Sequence, residues 1–246
     1  MKIVVIGGTG LIGSRLVARL GEHGHEAVRA APSTGVNTLT GEGLAEVLDD
    51  AAVVVDVSNS PSFADDAVME FSRTSTANLL KFSANAGVGH YVALSVVGTD
   101  RLLESGYFRA KDVQERLVRE SGRPYSIVHA TQFFEFIKAI ADLSMVDGTV
   151  RVPPALIQPM AADDVAAAVA RVAAGDPLNG LREIGGPEQF RLDDLVRKIL
   201  ATESDPREVV ADARARYSGA RIGERTLLPG PGAEFGRITL DDWLRR

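Results

Sequence analysis

The first fourteen residues constrain this chain more than any other stretch. A pure apolar run, Ile3-Val4-Val5-Ile6, breaks directly into Gly7-Gly8-Thr9-Gly10-Leu11-Ile12-Gly13. A short apolar run ended by glycines predicts a buried strand, and the periodic segment Leu11 to Leu20 predicts the helix it feeds. The three spaced glycines have separate tasks in such a turn. Gly7 permits the tight reversal, Gly10 lets a pyrophosphate approach the backbone, and Gly13 lets helix and strand pack closely. Free amides at the helix N-terminus then face the phosphates. The segment is the signature of a dinucleotide-binding turn.

The rest of the chain agrees with a doubly wound α/β fold. Strands are expected at residues 2 to 6, Glu26 to Ala30, Val36 to Thr38, Ala52 to Val57, His90 to Ser95 and Tyr125 to Ala130. Helices are expected between them, at Leu11 to Leu20, Leu44 to Asp49, Ala64 to Ala86 and Tyr107 to Glu120. Strands alternating with helices predict a parallel Rossmann-type sheet with ligands along the C-terminal strand edge. Ser62-Phe63-Ala64-Asp65 resembles a capping box at the third helix. After about residue 137 the alternation loosens. Asp147-Gly148 predicts a hairpin turn, Asp163-Asp164 caps an alanine-rich helix ending near Gly175, and a strand at Leu181 to Ile184 precedes a helix at Asp193 to Leu200. Pro229-Gly230-Pro231-Gly232 reads as a loop, followed by a terminal helix at Leu240 to Arg245. The expectation is one Rossmann domain over residues 1 to 246, with a small lobe from about 145 covering the substrate side.

Composition narrows the partners. A net charge of −6 disfavours nucleic acid, which needs a basic face. The absence of cysteine excludes disulfides and thiolate chemistry and fits a reducing cytoplasm. His23, His25, His90 and His129 have no metal-ligand spacing, so no metal is expected. With a strand starting at residue 2 and no long apolar run, neither a leader peptide nor a membrane span is expected. The two long helices serve either as a homodimer interface or as cover for the sheet.

The end of the second strand discriminates between dinucleotides. NAD sites place a carboxylate there to accept from the ribose 2′-hydroxyl. This chain has Ala27-Val28-Arg29-Ala30-Ala31-Pro32-Ser33-Thr34, with no acid, and Arg29 and Ser33 offer donors for a 2′-phosphate. NADP(H) is the expected cofactor.

The catalytic candidates follow a serine-tipped strand. Ser95 ends Leu94-Ser95-Val96-Val97-Gly98, and Tyr107-Phe108-Arg109-Ala110-Lys111 opens a helix. Tyr107 and Lys111 are one turn apart and share a face. An ammonium beside a phenol favours the phenolate and lowers its pKa, which makes Tyr107 a proton donor to a carbonyl receiving hydride. Ser95 is placed to hold the carbonyl oxygen. Only five of the 27 basic residues are lysines, which singles out Lys111 as the ammonium that tunes the tyrosine and binds the nicotinamide ribose. Phe133, Phe134 and Phe136 either wall an apolar pocket or pack between lobes, and Met145, Pro154 and Met160 are expected to complete that wall. No arginine cluster is apparent in the lobe, which favours a small apolar ketone, aldehyde or quinone over a nucleotide sugar.

Gly7, Gly10, Gly13, Ser95 and the Tyr107/Lys111 pair together resemble the short-chain dehydrogenase/reductase superfamily. Ser95-Val96-Val97-Gly98-Thr99-Asp100, Ala130-Thr131-Gln132-Phe133-Phe134-Glu135-Phe136 and Gln158-Pro159-Met160-Ala161-Ala162-Asp163-Asp164-Val165 resemble its atypical NmrA-like branch. The resemblance implies that Gly7, Thr9, Gly10, Leu11 and Ile12 contact the pyrophosphate and that Ser58 and Asn59 lie near the ribose. It also implies the roles of Ser95, Tyr107 and Lys111 as catalytic serine, tyrosine and lysine. His129 stands where many relatives carry arginine, either as a titrating group or as a hydrogen-bonded strand residue. Asn78 and Asn85 both remain open as counterparts of the helical asparagine of many relatives. The branch holds reductases and non-catalytic cofactor sensors. The expected function is an NADPH-dependent oxidoreductase, with an NADP(H) sensor as the alternative and a nucleotide-sugar epimerase or dehydratase as a third reading.

Overall fold

A computed structural model describes all 246 residues, Met1 to Arg246. The chain runs β1 (Lys2–Ile6), α1 (Leu11–Glu22), β2 (Glu26–Ala30), α2 (Leu44–Leu48), β3 (Val53–Asp56), α3 (Asp65–Asn85), β4 (His90–Val96), α4 (Gly106–Glu120) and β5 (Tyr125–Ala130). It continues through α5 (Ile137–Leu143), β6 (Met145–Val146), β7 (Thr149–Val152), β8 (Leu156–Ile157), α6 (Ala162–Ala174) and β9 (Gly180–Gly185). The last elements are β10 (Phe190–Arg191), α7 (Leu192–Thr202), β11 (Val209–Ala211), β12 (Glu234–Phe235) and α8 (Leu240–Leu244).

Seven strands form one sheet in the order β12-β9-β5-β4-β3-β1-β2, and every pairing in it is parallel. Apart from Lys2 and Asp56 at their ends, β1 and β3 are buried valines and isoleucines because helices cover both faces. One face buries Leu16 and Leu20 of α1 against Val165 and Val169 of α6. The other buries Leu44, Leu48, Leu79 and Val118 from α2, α3 and α4. The strand order reverses at β1 and β3, so the cleft for a ligand opens above their C-terminal ends.

Several expectations need correction. Val36 to Thr38 is not a strand. Pro32–Thr34 is a 3-10 turn, and Gly35, Gly41 and Gly43 all have positive φ, so the chain turns too often to pair. The third helix has Ala64 as its N-cap, with no side-chain cap, and Asp65 instead accepts from Arg109 at 2.8 Å. The sixth helix is likewise preceded by Ala161 rather than capped by Asp163 or Asp164. Asp163 accepts from Arg15 at 3.1 Å, and Asp164 accepts from the amides of Arg237 and Ile238, both at 2.8 Å. The hairpin at Asp147-Gly148 is present, with φ of 49° and 81° as a type I′ turn requires.

The segment expected to form the lobe is interleaved with the sheet. Helix α6 covers a face of the sheet, while β9 and β12 extend its edge. What stands above the C-terminal edge is α5, the small sheets β11-β7-β6 and β10-β8, α7 and α8. A third core holds this layer together, with Phe108 and Phe134 packed against Ile157, Leu195, Ile199 and Leu240.

Candidate active site

The glycine turn has the geometry its spacing predicts. Gly7 has φ of 77°, and a Cβ there would sit 2.9 Å from Cα of Ser58. A Cβ on Gly13 would lie 2.1 Å from the carbonyl oxygen of Gly7, so helix and strand touch backbone to backbone. Gly10 differs: a Cβ would meet only the Gly7 oxygen, at 3.3 Å, and its outer side is open. A cleft of about 820 Å³ passes over this turn, lined by Gly7, Thr9, Gly10, Leu11 and Ile12, then Ser58 and Asn59, then Tyr107 and Lys111. These residues fit a dinucleotide, because a glycine cradle without side chains admits a pyrophosphate to the backbone.

Arg29 and Ser33 are exposed and lie outside that lining; Gly13 is packed beneath it. The far wall of the cleft is Ala31, Pro32, Val36, Asn37, Thr38 and Leu39, a wall with no carboxylate. The Asn78 amide donates to the carbonyls of Thr38 and Leu39 at 2.8 and 3.0 Å and so supports this wall from α3. Asn85 is exposed at the far end of α3, so neither asparagine joins Tyr107. The Thr38–Leu39 wall was not legible in the sequence, because no motif marks a loop held from a helix forty residues away.

Helix α4 directs Tyr107, Lys111 and Glu115 along one face toward the sheet. The Lys111 ammonium donates to the Leu94 carbonyl at 2.9 Å and to Gln114 Oε1 at 2.5 Å. Gln114 Nε2 donates to Asp56 Oδ2 at 2.9 Å, and Asp56 Oδ1 accepts from the Ser58 amide and hydroxyl at 3.0 and 2.6 Å. Lysine, amide, carboxylate and cleft loop are thus one buried network. Burial lowers the Lys111 pKa, opposed by the charges of Asp56 and Glu115.

Tyr107 departs from expectation. Burial pushes its pKa up to about 12, while a hydrogen bond with Asn59 works in the opposite direction. The predicted lowering by Lys111 does not occur, because the ammonium is turned onto Leu94 and Gln114. Aromatic rings surround the phenol: Phe63 at 5.8 Å and Phe108 edge-on at 5.5 Å between ring centres.

Ser95 also departs from expectation. It is 2% exposed, and its hydroxyl donates to Glu115 Oε1 at 2.5 Å. A hydroxyl has one hydrogen, so Ser95 has none left for a substrate carbonyl. The same Glu115 oxygen is 2.7 Å from His129 Nε2, and Glu115 Oε2 accepts from Arg119. His129 Nδ1 lies 3.9 Å from Glu183. Burial works against a charged imidazole, but Glu115 and Glu183 outweigh it and hold the His129 pKa above its ordinary value. His129 is therefore a tie between α4, β5 and β9 behind the cleft.

The aromatic cluster divides in two. Phe133 and Phe136 stack at 5.5 Å and line the cleft, whereas Phe134 is buried against Trp243 at 5.5 Å. Met145, Pro154 and Met160 do not line the cleft: Met160 is buried in the core and the other two are exposed. Their places are taken by Phe63, Ile140, Leu143 and Tyr217. A second cavity of about 980 Å³ adjoins the first at Tyr107 and Tyr217 and brings Arg151, Arg214 and Arg216 together. That cluster was not apparent in the sequence because a strand and a distant loop supply it. Each arginine faces a carboxylate: Arg151 and Arg214 approach Asp212 at 3.5 and 3.6 Å, and Arg216 pairs with Glu104 at 2.7 Å.

The family model of NAD dependent epimerases and dehydratases matches residues 3–132, from the first strand through the glycine turn, Tyr107 and Lys111 to Gln132. The chain belongs to the NAD dependent epimerase/dehydratase family. No curated protein matches the chain. Among solved structures, MoeE5 in complex with UDP-glucose and NAD is similar over 100% of this chain and 96% of its own, with 17% identity and a TM-score of 0.76. DesIV, a dTDP-glucose 4,6-dehydratase from Streptomyces venezuelae with NAD bound, is similar over 100% and 95%, with 19% identity and a TM-score of 0.73. The NADPH-dependent quinone oxidoreductase QOR2 from Escherichia coli, complexed with NADPH, covers 85% of this chain and 77% of its own, with 18% identity and a TM-score of 0.65. At these identities the likeness is one of fold. The family is named for its dependence on NAD, and MoeE5 and DesIV are described with NAD and QOR2 with NADPH. No helix is long and apolar enough to cross a membrane, and no cluster of His, Asp and Glu is arranged to hold a metal.

Proposed function

We propose that this family member is an NADPH-dependent reductase of small apolar carbonyl compounds or quinones, with Tyr107 as proton donor. The observation that carries the reading is the position of the Tyr107 phenol, where the glycine-lined cleft meets an apolar wall of Phe63, Phe133, Phe136 and Ile140. Bound in that cleft, the dinucleotide would supply the hydride, which forms a new C–H bond at the carbonyl carbon of a ketone or aldehyde. A quinone takes the same two electrons to become a hydroquinone with a proton on each oxygen. Tyr107 gives the proton to the carbonyl oxygen; its pKa of about 12 keeps it protonated and ready at neutral pH. Lys111 is the cation beside the ribose, held in register by Gln114 and Asp56. The stacked phenyl rings keep water from the reacting carbon.

The choice of NADPH is supported by the absence of any carboxylate at Ala30, Ala31 and Pro32, where a 2′-hydroxyl would need an acceptor. Arg29 and Ser33, exposed at that edge, are proposed to take the 2′-phosphate. Replacing Arg29 by Glu should weaken NADPH binding at least tenfold and leave NADH binding nearly unchanged, as measured by titration calorimetry.

The carboxylates facing Arg151, Arg214 and Arg216 argue for a neutral substrate over a nucleoside diphosphate sugar. A nucleotide sugar that raised the melting temperature as much as NADPH does would reverse this order. The main test is NADPH oxidation against ketones, aldehydes and quinones, with Tyr107→Phe beside the wild type. Turnover lost by 100-fold or more in the variant, with NADPH affinity retained, is the expected result. Tight NADPH binding without turnover on any compound would instead establish a cofactor sensor.

A further inference from the structure

Reduction of a carbonyl builds negative charge on its oxygen, and such sites hold that oxygen with more than one donor. Tyr107 is one. The tip of β4 offers no second. Ser95 has committed its hydrogen to Glu115, Val96 and Val97 have no polar side chain, Gly98 has none at all, and Thr99 donates to the Val96 carbonyl at 2.7 Å. Lys111 is turned onto Leu94 and Gln114. Ser105 Oγ has no partner, but it opens only on the outer cavity and not on the cofactor cleft.

Across the cleft stands another phenol. Tyr217 comes from the loop after β11 and is held by a reciprocal backbone pair with Ala220, at 2.8 and 2.9 Å. Its ring is 8% exposed and packs in the core of the upper layer, yet it lines both cavities beside Tyr107. Gln132, two residues past the end of β5, is also 8% exposed and lines the same cleft. The Gln132 amide faces the Tyr217 phenol, but neither its oxygen nor its nitrogen closes a hydrogen bond. A buried amide with both ends free in a ligand cavity needs a partner, and side chains at such sites close their hydrogen bonds when the substrate arrives.

We infer that Tyr217, steadied by Gln132, is a catalytic residue that donates the second hydrogen bond to the substrate oxygen. This rests on the reductase reading above and deepens it: the role expected of the strand serine falls to a tyrosine of the upper layer. When the substrate arrives, Gln132 Nε2 donates to the Tyr217 oxygen and leaves the phenol hydrogen free for substrate. Burial, and then the charge of Tyr107, push the Tyr217 pKa upward, so Tyr217 remains a donor while Tyr107 releases its proton. The substrates this fits have one exposed carbonyl oxygen on a flat apolar body able to lie against Phe133 and Phe136, as quinones and aryl ketones do.

The test compares Tyr217→Phe, Gln132→Met and Ser95→Ala with the wild type, using menadione as probe. Removal of one donor to a developing oxyanion costs about 10²–10³ in kcat, so Tyr217→Phe should lower menadione reduction at least 30-fold with its NADPH affinity within twofold of wild type. Gln132→Met should lose less, and Ser95→Ala less than Tyr217→Phe. Because Tyr217→Phe keeps the ring, its melting temperature reports whether packing survives. The affinity of the NADP⁺ complex for menadione, measured by calorimetry, should fall at least tenfold in Tyr217→Phe. Turnover in Tyr217→Phe within threefold of wild type overturns this inference and leaves the reductase reading intact. A wild type that binds menadione but reduces neither it nor any ketone or aldehyde sinks the reductase reading alone, and equal menadione affinity in Tyr217→Phe then sinks the inference too. A wild type that neither binds nor reduces menadione or any carbonyl sinks both.

Discussion

At the residue scale, the buried charges behind the cleft make a titratable tie. His129 is flanked by Glu115 and Glu183, with Ser95 and Arg119 also on Glu115 and the Gly230 amide on Glu183. A histidine whose folded pKa exceeds its unfolded value of about 6.5 adds stability that is fully present below that value. The contribution is lost as pH rises through the folded pKa. Glu115 and Glu183 have lowered pKa values, so theirs is lost instead as pH falls below the ordinary glutamate range. The melting temperature should therefore peak between about pH 5 and 6.5 and decline on the alkaline side. In His129→Gln that alkaline decline should flatten; a variant with the wild-type slope would assign the decline to other groups.

At the element scale, the helix ends show how far local sequence reaches. The N-terminus of α6 is capped from a distance: Glu135 accepts from the Ala162 amide at 3.1 and 3.2 Å and from the Trp243 indole at 3.1 Å. One carboxylate thus ties the loop after β5 to α6 and α8. Glu135→Ala should destabilise the fold by about 1–2 kcal/mol, typical of a lost N-cap with a second bond removed. Chemical denaturation would check this, and an unchanged midpoint would mean water replaces the carboxylate. The glycine turn is more local. Its strand, spacing and helix start follow from adjacent residues, and Gly13→Ala should cost about 1–3 kcal/mol or displace α1, because its Cβ has no room against the Gly7 carbonyl.

At the scale of the whole molecule, the cleft is built between the sheet edge and the upper layer, and a ligand there joins both. At a hundredfold excess over its Kd, NADPH should add about 2.7 kcal/mol, which for a domain of this size raises the melting temperature by roughly 5–11 °C. A thermal-shift series with NADPH, NADH and adenosine nucleotides would measure it, and no shift with either dinucleotide would contradict a cofactor site. Exposed Phe63, Phe136 and Leu143 at the mouth of the cavities are the apolar surface that such binding would cover.

The parallel sheet, the glycine turn and the placement of Tyr107 and Lys111 on one helical face are legible in the order of residues. These depend on periodicity and on contacts a few residues apart. What each polar side chain does depends on the assembled fold. Ser95 is spent on Glu115 because α4 brings that carboxylate across the sheet face, twenty residues away. Lys111 faces Gln114 and Asp56 rather than the phenol because β3 and α4 meet there. Tyr217, Gln132 and the three arginines converge from strands and loops far apart in the chain. A hydroxyl, amide or ammonium has few hydrogens to give, and which partner takes them is settled by packing, which local sequence does not specify.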